Sequence, residues 1–183
     1  MKKATLVVYD LEYTAWEGSW ARGWSGPGEH REIIQIGAVR LSADFTELAA
    51  IDVVVRPRIN PLLSPYIMAL TGLSQARLDA EGVDIAEAFA RLAAFAAPDL
   101  PLASNGIDSE IITENCGLAR LPDPCPGRWI NVEHRIAAAV GRRPHSAELP
   151  GLFGLPGDAR GHDALADARA VAGTLKVLWQ RGA

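Results

Sequence analysis

Asp10 and Glu12 stand two residues apart at the end of an apolar run that begins at Ala4. The run from Ala4 to Tyr9 is rich in β-branched residues and reads as a central strand buried on both faces. Side chains alternate across a strand, so the two carboxylates point to the same side. Held that close, each raises the cost of ionising the other. A cation between them relieves the repulsion, and hard divalent ions such as Mg²⁺ and Mn²⁺ choose carboxylate oxygen. The spacing alone does not decide the matter. Two acids at the solvated end of a strand look the same, and Asp108-Ser109-Glu110 repeats the pattern.

That second copy is of a different kind. Leu100 to Ala103 reads as a short buried strand, and Ile107, Ile111 and Ile112 give the spacing of a helix from Ile107 to Cys116, with Gly117 as its C-terminal cap. Asp108 then falls in the first turn, where the helix dipole favours an anion. Glu110 lies about 200° further round and faces elsewhere. A last helix opens at Gly161-His162-Asp163 and runs through Trp179, with Leu165, Ala168, Ala172, Leu175 and Trp179 at helical spacing. It carries Asp167, five residues after His162. Four acids thus lie on one strand and two later helices.

The elements that must position them follow in order. Ala15 to Arg31 is a loop with Trp16, Trp20, Trp24 and four glycines. Tryptophans four apart suit a stripe of a short helix, or faces on which bases stack, and packing is expected for at least two of them. Ile33–Leu41 and Leu48–Arg56 read as strands joined at Ser42-Ala43-Asp44, a hairpin. After the proline-punctuated stretch from Pro57 to Pro65 comes a short helix, Tyr66–Leu70, ended by Thr71-Gly72. Asp84, with Glu87 three residues on, opens a stronger helix whose face is Ile85, Phe89, Leu92 and Ala96, and Pro98 stops it. Between Leu118 and Ala147, Arg120, Arg128, Arg135, Arg142 and Arg143 outnumber Asp123 and Glu133, which reads equally as a solvated face or a phosphate-tracking patch. Within it Trp129–Val132 is a brief strand leading into a helix up to Val140. Strands near residues 6, 36, 52, 102 and 130, alternating with helices after the hairpin, indicate an α/β sandwich with a mixed sheet.

A chain of 183 residues is read as a single domain, residues 1–183, with a sizeable core. Its 49% apolar and 22% charged residues are ordinary for a globular protein. Met1-Lys2-Lys3 precedes only six mostly apolar residues, too few for a signal peptide or a membrane span. Cys116 and Cys125 make neither a metal-binding quartet nor a disulfide framework, which suggests the cytoplasm. Eighteen basic against 22 acidic residues give a net charge of −4, not the balance of a protein that holds nucleic acid by charge alone. The four acids equal that charge by themselves, so the remainder is neutral and bound divalent ions would reverse the sign of the site.

The ordered set Asp10-x-Glu12, Asn105-Gly106-x-Asp108 and His162-x-x-x-x-Asp167 resembles the three motifs of the DEDDh 3′→5′ exonuclease family. Trp129-Ile130-Asn131, Leu149-Pro150 and Gly161 to Ala168 resemble the branch with the histone-mRNA 3′-end and small-RNA-degrading exonucleases and bacterial sporulation-kinase-pathway-inhibitor-type relatives. Glu32 to Val39 and Ala69 to Leu73 match it too, so the similarity runs from about Leu6 to Leu178. Two departures stand out. Ile107 replaces the usual aromatic before the motif-two aspartate, and the tryptophan loop is longer than in proofreading members.

The resemblance implies a ribonuclease-H-like fold, a mixed five-stranded sheet flanked by helices. It implies a metal-dependent 3′→5′ exonuclease that releases 5′-mononucleotides from single-stranded RNA or short 3′ overhangs, using two divalent ions, Mg²⁺ or Mn²⁺. Asp10, Glu12 and Asp167 would hold the water-activating ion. Asp10 and the substrate phosphate would bridge to the other, with Asp108 helping through water. His162 would be the general base, since histidine titrates near neutral pH. Thr14, beside the acids, and Asn105, in the second motif, would contact the substrate. His30, His134 and His145 lack an acid at a matching spacing and are expected in surface or structural roles. The expected partner is a nucleic acid with a free 3′ end, RNA rather than DNA, and no membrane. The alternatives are a DNA-directed or short-oligonucleotide exonuclease on the same site, or a regulatory protein-binding domain with an idle site.

Overall fold

The first strand lies at the centre of the molecule, as its uninterrupted apolar sequence requires. The computed structural model describes residues 2–156 and 161–182. Strand β1 (Ala4–Tyr13) pairs antiparallel with β2 (Ile33–Ser42), which pairs antiparallel with β3 (Glu47–Val54). On its other side β1 pairs parallel with β4 (Leu102–Ser104), and β4 with β5 (Trp129–Asn131). The order is β3-β2-β1-β4-β5, a mixed five-stranded sheet flanked by helices. This is the ribonuclease-H-like architecture expected from the sequence.

Alternation along β1 sorts the core into two layers. Val7, Tyr9 and Leu11 face α3 (Ile85–Ala96) and α4 (Asp108–Ala119), where Phe89, Leu92, Ile111 and Ile112 complete one apolar cluster. Val8 faces the other side, with Val39 and Leu41, toward α5 (Glu133–Val140), α6 (Leu149–Phe153) and α7 (Ala164–Gln180). Asp10 and Glu12 continue the Val8 face, so both carboxylates point toward α7. Among the described residues no helix is long and apolar enough to cross a membrane.

Gly37 sets how α7 is seated. It pairs with Asp10 across the sheet. A Cβ built on it would lie 2.1 Å from the Leu165 amide nitrogen and 2.2 Å from the Ala164 carbonyl carbon. The start of α7 therefore rests on the bare backbone of β2. Gly37→Ala should cost about 3 kcal/mol by forcing helix and strand apart, lowering the melting temperature by about 6–12 °C. A melt within about a degree of wild type would show that α7 is not seated there.

The structure departs from the sequence-based expectations at several points. β1 runs four residues past Tyr9, because pairing with β2 continues through Tyr13. Helices α1 (Pro65–Thr71) and α3 form where expected, capped by the side chains of Ser64 and Asp84. Helix α2 (Gln75–Glu81), a 3₁₀ turn at Ser146–Glu148 and α6 were not anticipated. Gly117 lies inside α4 instead of ending it, and Arg120 takes the left-handed cap with φ 56°. The tryptophan loop forms turns and no helix.

Candidate active site

The cleft lies where β1 and β4 end and α7 begins. β1 supplies Asp10 and Glu12, and the chain leaving β4 turns directly into α4, whose first residue is Asp108. α7 supplies Asp167 in its first turn. Two side chains hold the start of α7 in place. Asp163 caps the helix by accepting from the Ala166 amide at 2.9 Å. Gln35, buried in β2 opposite Glu12, donates to Asp163 Oδ2 at 3.2 Å and accepts from the Ala164 amide at 3.3 Å. Gln35 and Gly37 carry no chemistry, yet they place Asp167. Their sequence signal is a lone glutamine and a lone glycine inside the apolar strand Ile33–Val39.

All four acids are buried and converge. Burial raises the Asp10 carboxyl well above the usual range, Asp108, Asp167 and Glu12 raise it further, and the Ser146 hydroxyl partly offsets them. Glu12 is raised by burial and then by Asp167, Asp108 and Asp163. Burial also pushes Asp108 up to about 7, against hydrogen bonds from its own amide, Ser104 and the Leu11 backbone. Asp167 is pushed up to about 6 by burial, held down in part by the His162 amide, which donates to its Oδ2 at 3.1 Å. Four carboxylates that ionise so reluctantly form a site for positive charge.

His162 completes the cluster. Gly161 and His162 both have left-handed backbones, φ 58° and 56°. A Cβ on Gly161 would sit 2.7 Å from the Ala147 Cβ, so the approach to His162 is built for glycine. One potential ligand atom each from Glu12, His162 and Asp167 lie within 4.8 Å of one another. The resemblance assigned His162 to proton transfer, and the fold brings it to within ligand reach as well. Burial, then the nearby His145, pushes its pKa down, which favours the neutral imidazole that can take a proton. The residues fit a hard divalent ion: several buried carboxylate oxygens with raised pKa values and one imidazole.

Both residues expected to contact the substrate also make bonds within the protein. Thr14 is 2% exposed. Its hydroxyl donates to the His30 carbonyl at 2.5 Å and accepts from the Glu32 amide at 3.0 Å, while its carbonyl accepts from Trp24 Nε1 at 2.9 Å. Thr14 clasps the tryptophan loop shut. Asn105 Nδ2 donates to the Pro144 carbonyl at 3.0 Å, tying β4 to the segment that carries Ser146. His145, expected in a surface or structural role, is exposed but stands beside the site, near enough for its charge to act on His162. Ile107, where an aromatic was expected, packs against the α3/α4 cluster. The arginine-rich stretch is largely engaged within the protein. Arg128 donates to the Ala97 and Leu100 carbonyls, Arg142 pairs with Glu148, and Arg143 with Glu133.

Comparison with known proteins bears on this arrangement. The nuclease domain of 3′hExo, a DEDDh family member bound to rAMP, superposes with a TM-score of 0.81 at 23% identity, covering 97% of this chain and 92% of that one. Exonuclease I of E. coli in complex with a dA16 oligonucleotide gives 0.75 at 18% identity, over 98% of this chain and 41% of that one. At these identities the likeness is one of fold. Human ERI1 exoribonuclease 2 is 35% identical over 82 residues, 44% of this chain and 11% of that protein's length. This chain thus matches only about a tenth of that relative. The family model described as Exonuclease, of RNase T type, matches residues 7–175, a span that includes all four acids and His162. The chain belongs to the exonuclease family.

Proposed function

We propose that the whole chain is one exonuclease domain that removes 5′-mononucleotides stepwise from the free 3′ end of a single strand, with RNA preferred. The observation that carries this reading is the convergence of four buried carboxylates and His162 in one cleft. Asp10, Glu12, Asp108 and Asp167 would hold two divalent ions, Mg²⁺ or Mn²⁺. Bound there, such ions lower the pKa of water and offset the charge that develops on the phosphate oxygens. His162 takes the proton of the attacking water, its Nδ1 or Nε2 free at neutral pH. The left-handed turn at Gly161-His162 holds that ring beside Glu12 and Asp167, which fixes where the water is deprotonated. Asn105 and Thr14 shape the walls by pinning the segments on either side.

RNA preference is supported by the human relative's name, an exoribonuclease, by 3′hExo bound to rAMP, and by a 3′-exonuclease that recognises a histone mRNA stem-loop. The similarity to an exonuclease bound to single-stranded DNA supports DNA as the second reading. An idle site in a protein-binding domain is disfavoured, because clustered carboxylates that oppose folding serve nothing unless they bind metal.

With Mn²⁺, a 5′-labelled linear RNA should shorten one nucleotide at a time, while a closed circle of the same sequence survives. EDTA should stop the reaction, and the matching DNA strand should be degraded more slowly. Efficient cutting of the circle would show an endonuclease, and equal rates on both strands would remove the RNA preference.

A further inference from the structure

An acid on the outermost strand reaches the active site through one amide. Asp52 lies on β3, at the edge of the sheet, and pairs with Gly37 of β2. Gly37 and Gln35 share a face of β2, and paired residues share a face, so Asp52 stands on that face too. Gly37 has no side chain, which leaves Asp52 room to reach Gln35. Its Oδ1 accepts from Gln35 Nε2 at 2.9 Å, and its Oδ2 accepts from Arg77 of α2 at 2.8 Å. Arg77 is held in turn by Glu81, to which its Nε donates at 2.9 Å. The Asp52 side chain is only 27% exposed. Both its oxygens are thus engaged, one by a charge on α2 and one by the amide that seats α7. An acid that only keeps an edge strand soluble needs neither contact.

The Gln35 amide has two orientations of nearly equal shape, and they differ in what they do to α7. As it stands, Nε2 donates to Asp52 and to Asp163 Oδ2, and Oε1 accepts from the Ala164 amide. Turned over, its oxygen would face two carboxylates and its NH2 would face an N–H. Of the two carboxylates, Asp163 belongs to the segment being placed. It adjoins His162, and its carbonyl accepts from the Asp167 amide at 2.8 Å. Asp52 belongs to the sheet. It orients the amide from the fixed side, and Arg77 keeps it from turning to solvent.

We infer that Asp52 is a positioning residue for the reaction, acting through Gln35 on His162 and Asp167, a role that rests on the exonuclease reading above. Gln35 is 1% exposed, so an N–H that loses the Asp52 oxygen has no water to replace it. The orientation that seats α7 is then less favoured, and His162 and Asp167 stand out of register with Asp10 and Glu12 for part of the time. Groups that orient metal ligands from behind typically set affinity or turnover by about 10–100-fold. Asp52 acts one bond further back.

Asp52→Ala should bind Mn²⁺ about 10-fold more weakly in calorimetry. With saturating Mn²⁺ it should lower kcat on a 5′-labelled RNA by about the same factor, while KM for the strand hardly moves. Measured well below the melting temperature of every variant, these quantities do not respond to lost stability alone. Asp52→Asn keeps an oxygen for Gln35 and should restore most of both, although it gives up the ion pair with Arg77. Gln35→Met keeps the volume and removes the amide, so adding Asp52→Ala to it should cause no further loss. Wild-type behaviour of Asp52→Ala overturns the assignment. So does an Asp52→Asn no better than Asp52→Ala, or a double variant whose losses add. A wild type whose Mn²⁺ affinity depends on Asp52 in this way, but which releases no nucleotide, leaves the positioning role standing and removes the exonuclease reading instead.

Discussion

Asp108→Asn should abolish nucleotide release and yet raise the melting temperature of the metal-free protein. Asparagine keeps the shape of the side chain and removes a charge that burial and Asp167 both disfavour. Asp10 and Glu12 are relieved as well, because Asp108 raises both. The gain should be about 1–3 kcal/mol, or some 2–12 °C. It depends on pH in a definite sense. The folded-state pKa of Asp108, about 7, lies above its ordinary value of 3.8. Ionisation therefore opposes folding, fully so above pH 7, and the penalty fades as the pH falls toward the ordinary value. The advantage of Asp108→Asn should be widest above neutrality and vanish in acid. Metal reverses the ranking, since an ion at a hundred times its dissociation constant stabilises the native state by about 2.7 kcal/mol. Wild type should gain more from Mn²⁺ than the variant does. Melts in EDTA and in Mn²⁺, across pH, check both parts. A variant that melts below wild type in EDTA, or gains equally from Mn²⁺, would take Asp108 out of the cluster.

His162→Ala should lower kcat by about 10²–10⁴. Burial favours the neutral form of the ring, which stands beside Glu12 and Asp167. Since its potential ligand atom lies within 4.8 Å of theirs, calorimetry of Mn²⁺ binding must accompany the kinetics. Unchanged metal affinity with lost turnover fits a base. Lost affinity makes His162 a ligand, and near-wild-type turnover removes it from the mechanism. His162→Asn is the useful control, because asparagine tolerates the left-handed backbone that residue 162 adopts. If it is as inactive as alanine, the imidazole and not the turn is what matters.

Much of this could be read from residue order. The alternation that puts Asp10 and Glu12 on one face survives in the structure because pairing with β2 continues past both residues. The helical spacing of α7 identified part of its buried face, where Leu165, Ala172 and Leu175 pack, whereas Trp179 is exposed. What stayed hidden depended on contacts between distant segments. His145 was judged by acids near it in sequence, whereas its neighbours are His162 and Trp20. Thr14 stands beside the acids, but its hydroxyl is taken by residues 30 and 32. A count of arginines between Leu118 and Ala147 could not reveal that Arg128 holds backbone carbonyls. The tryptophans spaced by four imitate a helix face, but the glycines among them take left-handed turns at Gly18, Gly23 and Gly28. Short helices such as α2 and α6 carry too few turns for periodicity to register.

The seating of α7 on Gly37 also sets when the enzyme can act during its own synthesis. Asp10 and Glu12 leave the ribosome early, and Asp167 follows only after nearly all of the matched domain has been made. Until then the nascent chain has a sheet with one face bare and only three of its four carboxylates. The contact that completes the site spans most of the domain, so it pays the largest loop-closure cost and forms late. The four acids are thus brought together only when the last helix is in place.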